Sequence, residues 1–361
     1  MIRMGIVGYG GMGEWHHRNT AGMEHVKVLA AFDIDKERGE YAVKNAKEAF
    51  NEPVFAGYGS LEALLKDERI NLVLVATPND THKEICLAAI RAGKNVLCEK
   101  PATMNLAELD EILEAARAED VIFTVHQNRR WDKDYNIVKK AIEDGSVGKP
   151  FSIDTRLHGG GGIIHGWRAC RENGGGMILD WGVHIIDQIL DLIPDGIKHV
   201  YCQTLSVMNP GVDDFFKLVL TFEGGAIVQV EVGTFCLRST FRTWHVCGDR
   251  GGMSVVLGYS GITGGITKVR ELGNKWESKI VETYAGPTRT FAPLGEDKVI
   301  ELSLPEVAPD WKDYYKNLSE ALEGKTEIIV KPNQVRRVIK VMDACFKSSE
   351  TGTAVAFDEN N

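Results

Sequence analysis

The sequence predicts an α/β protein, with a doubly wound parallel sheet over residues 1–125 and a second, α+β domain over residues 126–361. Three observations predict it. Apolar strand-like runs alternate with helical stretches from Ile2 to His126, the rhythm of βαβ units. The first unit turns sharply from strand to helix through Gly8-Tyr9-Gly10-Gly11-Met12-Gly13. From His199 onward strands succeed one another with no helix between them, which reads as a large, mostly antiparallel open sheet.

The totals agree. A chain of 361 residues, 43% hydrophobic and 26% charged, has core-forming capacity for roughly two domains. A net charge of −9 and a pI near 5.7 argue against a nucleic-acid partner, which selects for a basic face. No apolar run approaches the ~18 residues of a membrane helix. A first strand starting at Ile2 leaves no room for a signal peptide. Seven cysteines without a C-x-x-C pair read as reduced thiols of a cytoplasmic protein.

In chain order, Ile2 to Gly8 is the first strand and Val26 to Asp33 the second, with a helix between. Lys36 to Asn51 is a polar-faced helix, Pro53 to Gly57 a short third strand, and Ser60 an N-cap for Leu61 to Asp67. Ile70 to Thr77 is apolar on both faces, as a central parallel strand must be. Pro78 ends it. Asp80 to Ala92 is a helix closed by Gly93, and Asn95 to Glu99 is the fifth strand. Asn105 with Glu108 opens the next helix, and Val121 to His126 is the sixth strand. Asp134 to Glu143 is then helical, Phe151 to Leu157 extended, His158 to Trp167 a glycine-rich loop, and Met177 to Ile193 a helix stopped by Pro194. Phe216 to Phe222 and Ile227 to Gly233 form a hairpin, and Thr267 to Leu272 pairs with Lys275 to Val281 across Gly273-Asn274. Helices Trp311 to Glu323 and Asn333 to Ser348 close the chain.

Ligands of a doubly wound sheet bind at the carboxyl ends of its strands. Gly10, Asp33, Thr77-Pro78-Asn79, Glu99-Lys100-Pro101 and His126 to Arg130 therefore share one crevice. The G-x-G-x-x-G spacing lets a pyrophosphate approach bare backbone at a helix N-terminus. Asp33 follows Gly13 by 20 residues, where a carboxylate accepts the ribose hydroxyls of an adenosine. It repels a 2′-phosphate, so NAD is the expected cofactor. Arg38, the nearby cation, is expected to lie along its helix.

Asp180 and His184 are four apart in a predicted helix, so both project from one face. The carboxylate would orient the imidazole and stabilise its protonated form, as a general base requires; a solvated surface pair is the alternative. Lys100, rigidified by Pro101, can stabilise a developing alkoxide or be an ordinary surface lysine. Trp131, Trp167 and Trp181 can stack on a pyranose or fill core. His158, His165 and His184 show no metal-ligand spacing, so no metal is expected.

Taken in order, these motifs resemble the glucose–fructose oxidoreductase, inositol dehydrogenase and rhizopine-catabolism family (Gfo/Idh/MocA) over essentially the whole chain. The resemblance rests on Gly8 to Gly13 with His16, Ala76-Thr77-Pro78-Asn79 with His82, and Glu99-Lys100-Pro101. It continues through Asn128-Arg129-Arg130, Trp167-Arg168, Gly174-Gly175-Gly176 with Asp180-x-Gly182-x-His184, and Ser348-Ser349-Glu350-Thr351-Gly352. It implies a Rossmann domain and hydride transfer from a secondary hydroxyl of a sugar, glycoside or cyclic polyol to the nicotinamide of NAD. It gives Lys100, Asp180 and His184 the catalytic roles. Cofactor contacts are expected from Gly8, Gly10, Gly11, Met12, Gly13, Asp33, Arg38, Thr77, Pro78, Asn79, His82, Glu99, Lys100 and Gln127. Substrate contacts are expected from Asn128, Arg129, His158, His165, Trp167, Arg168, Asp180 and His184.

Two other functions are weighed. NAD-dependent glycosidases of the same broad family, which oxidise transiently and eliminate the aglycone, carry Tyr-x-x-His-Gly where this chain has Asp180-x-x-x-His184. A nucleotide-sensing regulator is disfavoured by the presence of Lys100, Asp180 and His184 together. The glycine run at 159–162 suits a flap around a glycoside oxidised at a ring hydroxyl such as C3, or a tight turn beside the cofactor. The Val, Leu and Phe of strands 216–222 and 227–233 suggest an exposed apolar sheet face. The resemblance points to a homodimer or homotetramer through that sheet.

Overall fold

Short runs rich in Val, Leu, Ile and Ala build the first sheet. The structure, a computed structural model, describes residues 1–52, 54–238, 241–270, 280–289 and 296–359. Strands β1 (Ile2–Val7), β2 (Val26–Phe32), β3 (Ala56–Gly57), β4 (Leu72–Val75), β5 (Asn95–Cys98) and β6 (Phe123–Val125) lie in the order β3-β2-β1-β4-β5-β6, and all pairs are parallel. All of β4 is buried because crossover helices cover both faces. These are α1 (Gly11–Thr20), α2 (Lys36–Glu48), α3 (Leu61–Leu65), α4 (His82–Arg91) and α5 (Leu106–Ala118). The side chains of Ser60 and Asn105 cap α3 and α5 by accepting from Ala63 N (3.2 Å) and Glu108 N (3.0 Å). Strand order reverses between β1 and β4, which opens a crevice above their carboxyl ends. The predicted third strand is only two residues long, and its Pro53 lies outside the described residues.

After α6 (Lys133–Glu143), a nine-stranded sheet runs β16-β13-β12-β11-β7-β10-β9-β8-β17. Its strands are β7 (Pro150–His158), β8 (Ile197–Leu205), β9 (Phe215–Phe222), β10 (Ile227–Gly233), β11 (Arg242–Gly248), β12 (Gly251–Gly258), β13 (Gly261–Val269), β16 (Val299–Leu302) and β17 (Val355–Ala356). A separate hairpin joins β14 (Ile280–Thr283) to β15 (Gly286–Arg289). Among the described residues of the large sheet, only β7 and β10 pair in parallel, making it mixed but mostly antiparallel. The inner face packs on α6, α7 (Val183–Leu192) and α9 (Pro332–Thr351). From α8 (Lys312–Leu322), Tyr314 and Tyr315 reach under the first sheet, where Tyr314 Oη donates to Val125 O at 3.1 Å.

Three expectations change. The hairpin 267–281 does not form across its described part: Thr267 pairs with Gly252 on one side and Glu301 on the other, filling both edges. Residues 271–279 of that segment lie outside the described residues. The helix expected from Met177 begins with a π-helical turn, Ile178–Gly182, before α7. The apolar sheet patch is also corrected, because side chains alternate across a strand. Phe216, Leu218, Leu220, Val228, Val230 and Val232 all face inward and are buried. The outer face instead mixes Lys217, Gln229 and Glu231 with Tyr201 and Ile227.

Candidate active site

A cleft of about 820 Å³ runs from Gly10, Asp33 and Arg38 to Lys100, Asp180 and His184. Its cofactor end is shaped by three different uses of glycine. Gly8 has φ +89°, and a Cβ there would lie 2.7 Å from Ala76 O. A Cβ on Gly13 would lie 2.0 Å from Gly8 O, so α1 packs hard against the turn. At Gly11 a Cβ would meet no protein atom within 4 Å, which leaves bare backbone facing the cleft for a pyrophosphate. Asp33 accepts from Tyr9 N (2.6 Å) and Asp35 N (2.9 Å), fixing its carboxylate at the adenosine end. These residues fit an adenine dinucleotide. Arg38 pairs with Asp35, three residues before it, at 3.5 Å along its own helix, and it also lines the cleft beside Gly10.

Thr77, Pro78, Asn79, Met12 and Gly8 line the cleft as well. Asn79 Nδ2 donates to Gly174 O at 2.8 Å, tying the two domains together across it. Three expected cofactor residues do not line it: Gly13 (packed against the Gly8 carbonyl), His82 and Gln127. His82 is fully buried, with ring nitrogens 2.9 and 3.0 Å from the carbonyls of Pro101 and Thr77, so it clasps the two turns from behind. Gln127 is 1% exposed and its Oε1 has no hydrogen-bond partner.

At the other end Lys100 leaves the carboxyl end of β5 and donates from Nζ to both the Asp180 carbonyl and Oδ1, each at 2.8 Å. Arg168 Nε lies 3.5 Å from the same Oδ1. Burial pushes the Asp180 carboxyl up, but the Lys100 and Arg168 cations outweigh it and hold it below its ordinary value. Asp180 is thus the partner of Lys100, and no Asp180–His184 bond forms. In a π turn four residues do not bring side chains into the α-helical register, so the pairing expected from spacing fails.

His184 is 5% exposed and its Nδ1 has no hydrogen-bond partner. Burial, then the charges of Lys100 and Arg129, push its imidazole well below the ordinary range. The ring packs edge-on to Trp181 at 5.8 Å between centroids, and the Arg129 guanidinium lies 4.8 Å over the other ring of that pair, Trp181. A neutral, unpartnered imidazole beside a lysine ammonium can take a proton while the ammonium steadies the oxygen left behind.

The helix carrying these groups is fixed by contacts that local sequence does not reveal. Asp213 Oδ2 accepts from Ile178 N at 2.7 Å, and its carbonyl accepts from Met177 N at 2.8 Å. A Cβ on Gly176 would lie 2.2 Å from the Asp213 carboxylate, and one on Gly175 2.2 Å from Arg168 O. The glycine triplet therefore brings the helix start against both. Behind it, buried Arg130 forms a bidentate pair with Asp187, both bonds 2.7 Å.

Asn128, Arg129, Trp167 and Arg168 line the substrate end, with Arg168 stacked 4.4 Å over Trp167. His158 does not. It lies on the outer sheet face, paired with Glu231 at 2.9 Å. His165 is exposed outside the cleft lining, and Trp131 packs on Tyr314 at 5.7 Å. The glycine loop is tied down more than a flap would be. Gly159 N donates to Gly233 O (2.8 Å) and Gly162 N to Thr234 O (2.9 Å), while Asn209 Nδ2 donates to Gly162 O (2.6 Å).

Under Lys100, Glu99 Oε1 accepts from His16 Nε2 (2.7 Å) and His126 Nδ1 (2.8 Å), and Lys100 N donates to Oε2 at 3.2 Å. Burial would raise the Glu99 carboxyl, but the two histidines hold it well below its ordinary value. Burial and His126 push His16 down to about 4, against the pull of Glu99. These three side chains could ligate a metal, a grouping the sequence reading did not anticipate. A pH dependence follows. As pH falls below the ordinary imidazole value of about 6.5, the unfolded chain binds protons that folded His16 and His184 refuse, so stability is lost. Thermal melting followed by circular dichroism should show Tm several degrees lower at pH 5 than at pH 7; an unchanged Tm would contradict these environments.

The comparisons with known proteins fall on both halves of the chain. The family model described as oxidoreductase family, NAD-binding Rossmann fold, matches residues 2–127, and the Gfo/Idh/MocA C-terminal domain model matches residues 135–254. An uncharacterized oxidoreductase of Schizosaccharomyces pombe is 30% identical over 93% of this chain and 92% of its own. A scyllo-inositol 2-dehydrogenase (NADP(+)) of Bacillus subtilis is 28% identical over 97% and 94%. The crystal structure of an NAD-binding protein from Listeria innocua superposes with a TM-score of 0.86, at 36% identity and 99% coverage of both chains.

Proposed function

We infer from its family, since the chain belongs to the Gfo/Idh/MocA NAD-binding oxidoreductases, that it oxidises a secondary hydroxyl of a sugar, glycoside or cyclic polyol. The observation that carries this reading is the Lys100–Asp180 pair at 2.8 Å beside a buried, unpartnered His184 in one cleft with the glycine turn. Lys100, fixed by two oxygens of Asp180, receives the substrate hydroxyl oxygen and stabilises its developing charge. His184, held neutral, accepts the hydroxyl proton. Arg129, Arg168 and Asn128 supply donors to the other hydroxyls, and Trp167 and Trp181 offer apolar faces. NAD, held by the glycine turn and Asp33, supplies the hydride acceptor. The glycine loop, tied to Gly233, Thr234 and Asn209, does not argue for a glycoside over a free polyol, so oxidation at a ring hydroxyl such as C3 of a glycoside is put to the panel below.

The test is a panel of inositols, free hexoses and methyl glycosides with NAD, followed by nucleotide absorbance and product analysis. Reduced nucleotide with a ketone product supports the reading. Free aglycone without net reduction, or no turnover at all, contradicts it.

Asp33 gives a second prediction. Its carboxylate opposes a 2′-phosphate at a cost of several kcal/mol, partly offset by Arg38. NAD should therefore bind at least about tenfold more tightly than NADP, and Asp33→Ser should narrow the gap. Equal affinities in calorimetry would refute the assignment. We also propose association through the outer sheet face, as a homodimer or homotetramer; sedimentation of a monomer at micromolar concentration would refute that.

A further inference from the structure

Beyond the Arg129–Trp181 stack lies a second cavity, of about 130 Å³. Arg129 and Trp181 line both spaces, so the cavity adjoins the catalytic cleft across this pair. Its far wall is apolar and comes from four separate strand ends. Leu157 lies near the end of β7, Phe241 precedes β11, Leu257 lies near the end of β12 and Ile262 near the start of β13. The opposite side is charged: Asp132, Lys133 and Asp134 at the start of α6 line it with Arg242, which is 2% exposed and whose Nε makes no hydrogen bond although Asp134 Oδ2 is 3.1 Å away.

We propose that this cavity is a subsite for a single aromatic or comparably flat apolar ring joined to the sugar, so that the substrate is an aryl glycoside. The inference rests on the carbohydrate-oxidising reading above and specifies its substrate. Three observations support it. The volume is close to the ~150 Å³ of an apolar cavity that takes one benzene ring. Trp181 lines the cavity and packs edge-on to His184 at 5.8 Å, so a ring there is one residue away from the reacting hydroxyl. Phe241 also lines the cavity and is 40% exposed, so its apolar face is open to a ligand. A free hexose or inositol would leave this wall wet.

The proposal chooses an occupant that water does not resemble. Waters bound on Arg242 and Asp132 would make the cavity indifferent to the aglycone. A buried ring would instead favour it by at least about tenfold, the effect of removing roughly one ring face from water.

The test compares phenyl and methyl β-glucosides of the same sugar on the NAD-loaded full chain. Two readouts are needed: kcat/KM for nucleotide reduction, and Kd by calorimetry. The wild type should favour the phenyl glucoside by at least about tenfold in both. Leu257→Trp, which fills the cavity, should bring both ratios down to near one, and Ile262→Phe serves the same purpose if the first variant misfolds. Turnover of both glucosides with ratios near one overturns the subsite while leaving the oxidoreductase reading intact. A tighter phenyl complex without nucleotide reduction supports the subsite and sinks the reaction. A folded Leu257→Trp variant that keeps the phenyl preference overturns this location, and failure to bind either glucoside overturns both readings.

Discussion

His184→Ala should lower kcat by about 10²–10⁴, the range for losing a general base, with NAD affinity unchanged. The imidazole lies at the substrate end of the cleft, far along it from Gly11 and Asp33, so its removal should leave the cofactor site alone. The wild-type pH profile gives an independent check. Burial, Lys100 and Arg129 keep the ring neutral well below the ordinary imidazole range. Activity should accordingly persist as pH falls through about 6.5 and drop only at more acid values. A kcat/KM profile that breaks at the unperturbed histidine value would place the base elsewhere.

Lys100→Met should cost roughly 10²–10³ in kcat, comparable to the loss of one preorganised donor to a developing oxyanion. It has a second, directional consequence. Removing the ammonium takes away the largest positive neighbour of His184, so the imidazole becomes easier to protonate. The acid limb of the residual activity should then move up, toward the ordinary imidazole range. If Lys100 were itself the base, the variant would lose that limb altogether. Measuring the profile with excess enzyme separates the two roles.

Much of this was legible locally. Gly8, Gly10, Gly13 and Asp33 lie within one βαβ unit, where turn, helix and strand end follow directly from residue type and spacing. The Ser60 and Asn105 caps were readable for the same reason. The Asp180–His184 relation was not. The spacing assumes an α-helix, and the π turn is held by Asp213, a residue far downstream whose approach depends on the second sheet. The place of His158 follows from the alternation of its strand. Ile153, Thr155 and Leu157 are buried in strict alternation, which assigns the next residue to the outer face, opposite the helices. Strands 216–222 and 227–233 follow the same rule: Phe216, Leu218, Leu220, Val228, Val230 and Val232 alternate onto the buried face, so their apolar content does not reach the outer one. The side cavity required four strand ends that only the sheet order brings together.

The most direct test of the account uses a glycoside carrying deuterium on the carbon that bears the oxidised hydroxyl, C3 first, incubated with the protein and NAD. Mass spectrometry of the recovered nucleotide should find one deuterium in NADH, in equal amount to the ketone formed, with the signal lost in His184→Ala. Unlabelled nucleotide, or aglycone released with no NADH, would contradict hydride transfer from a carbinol as the reaction of this cleft.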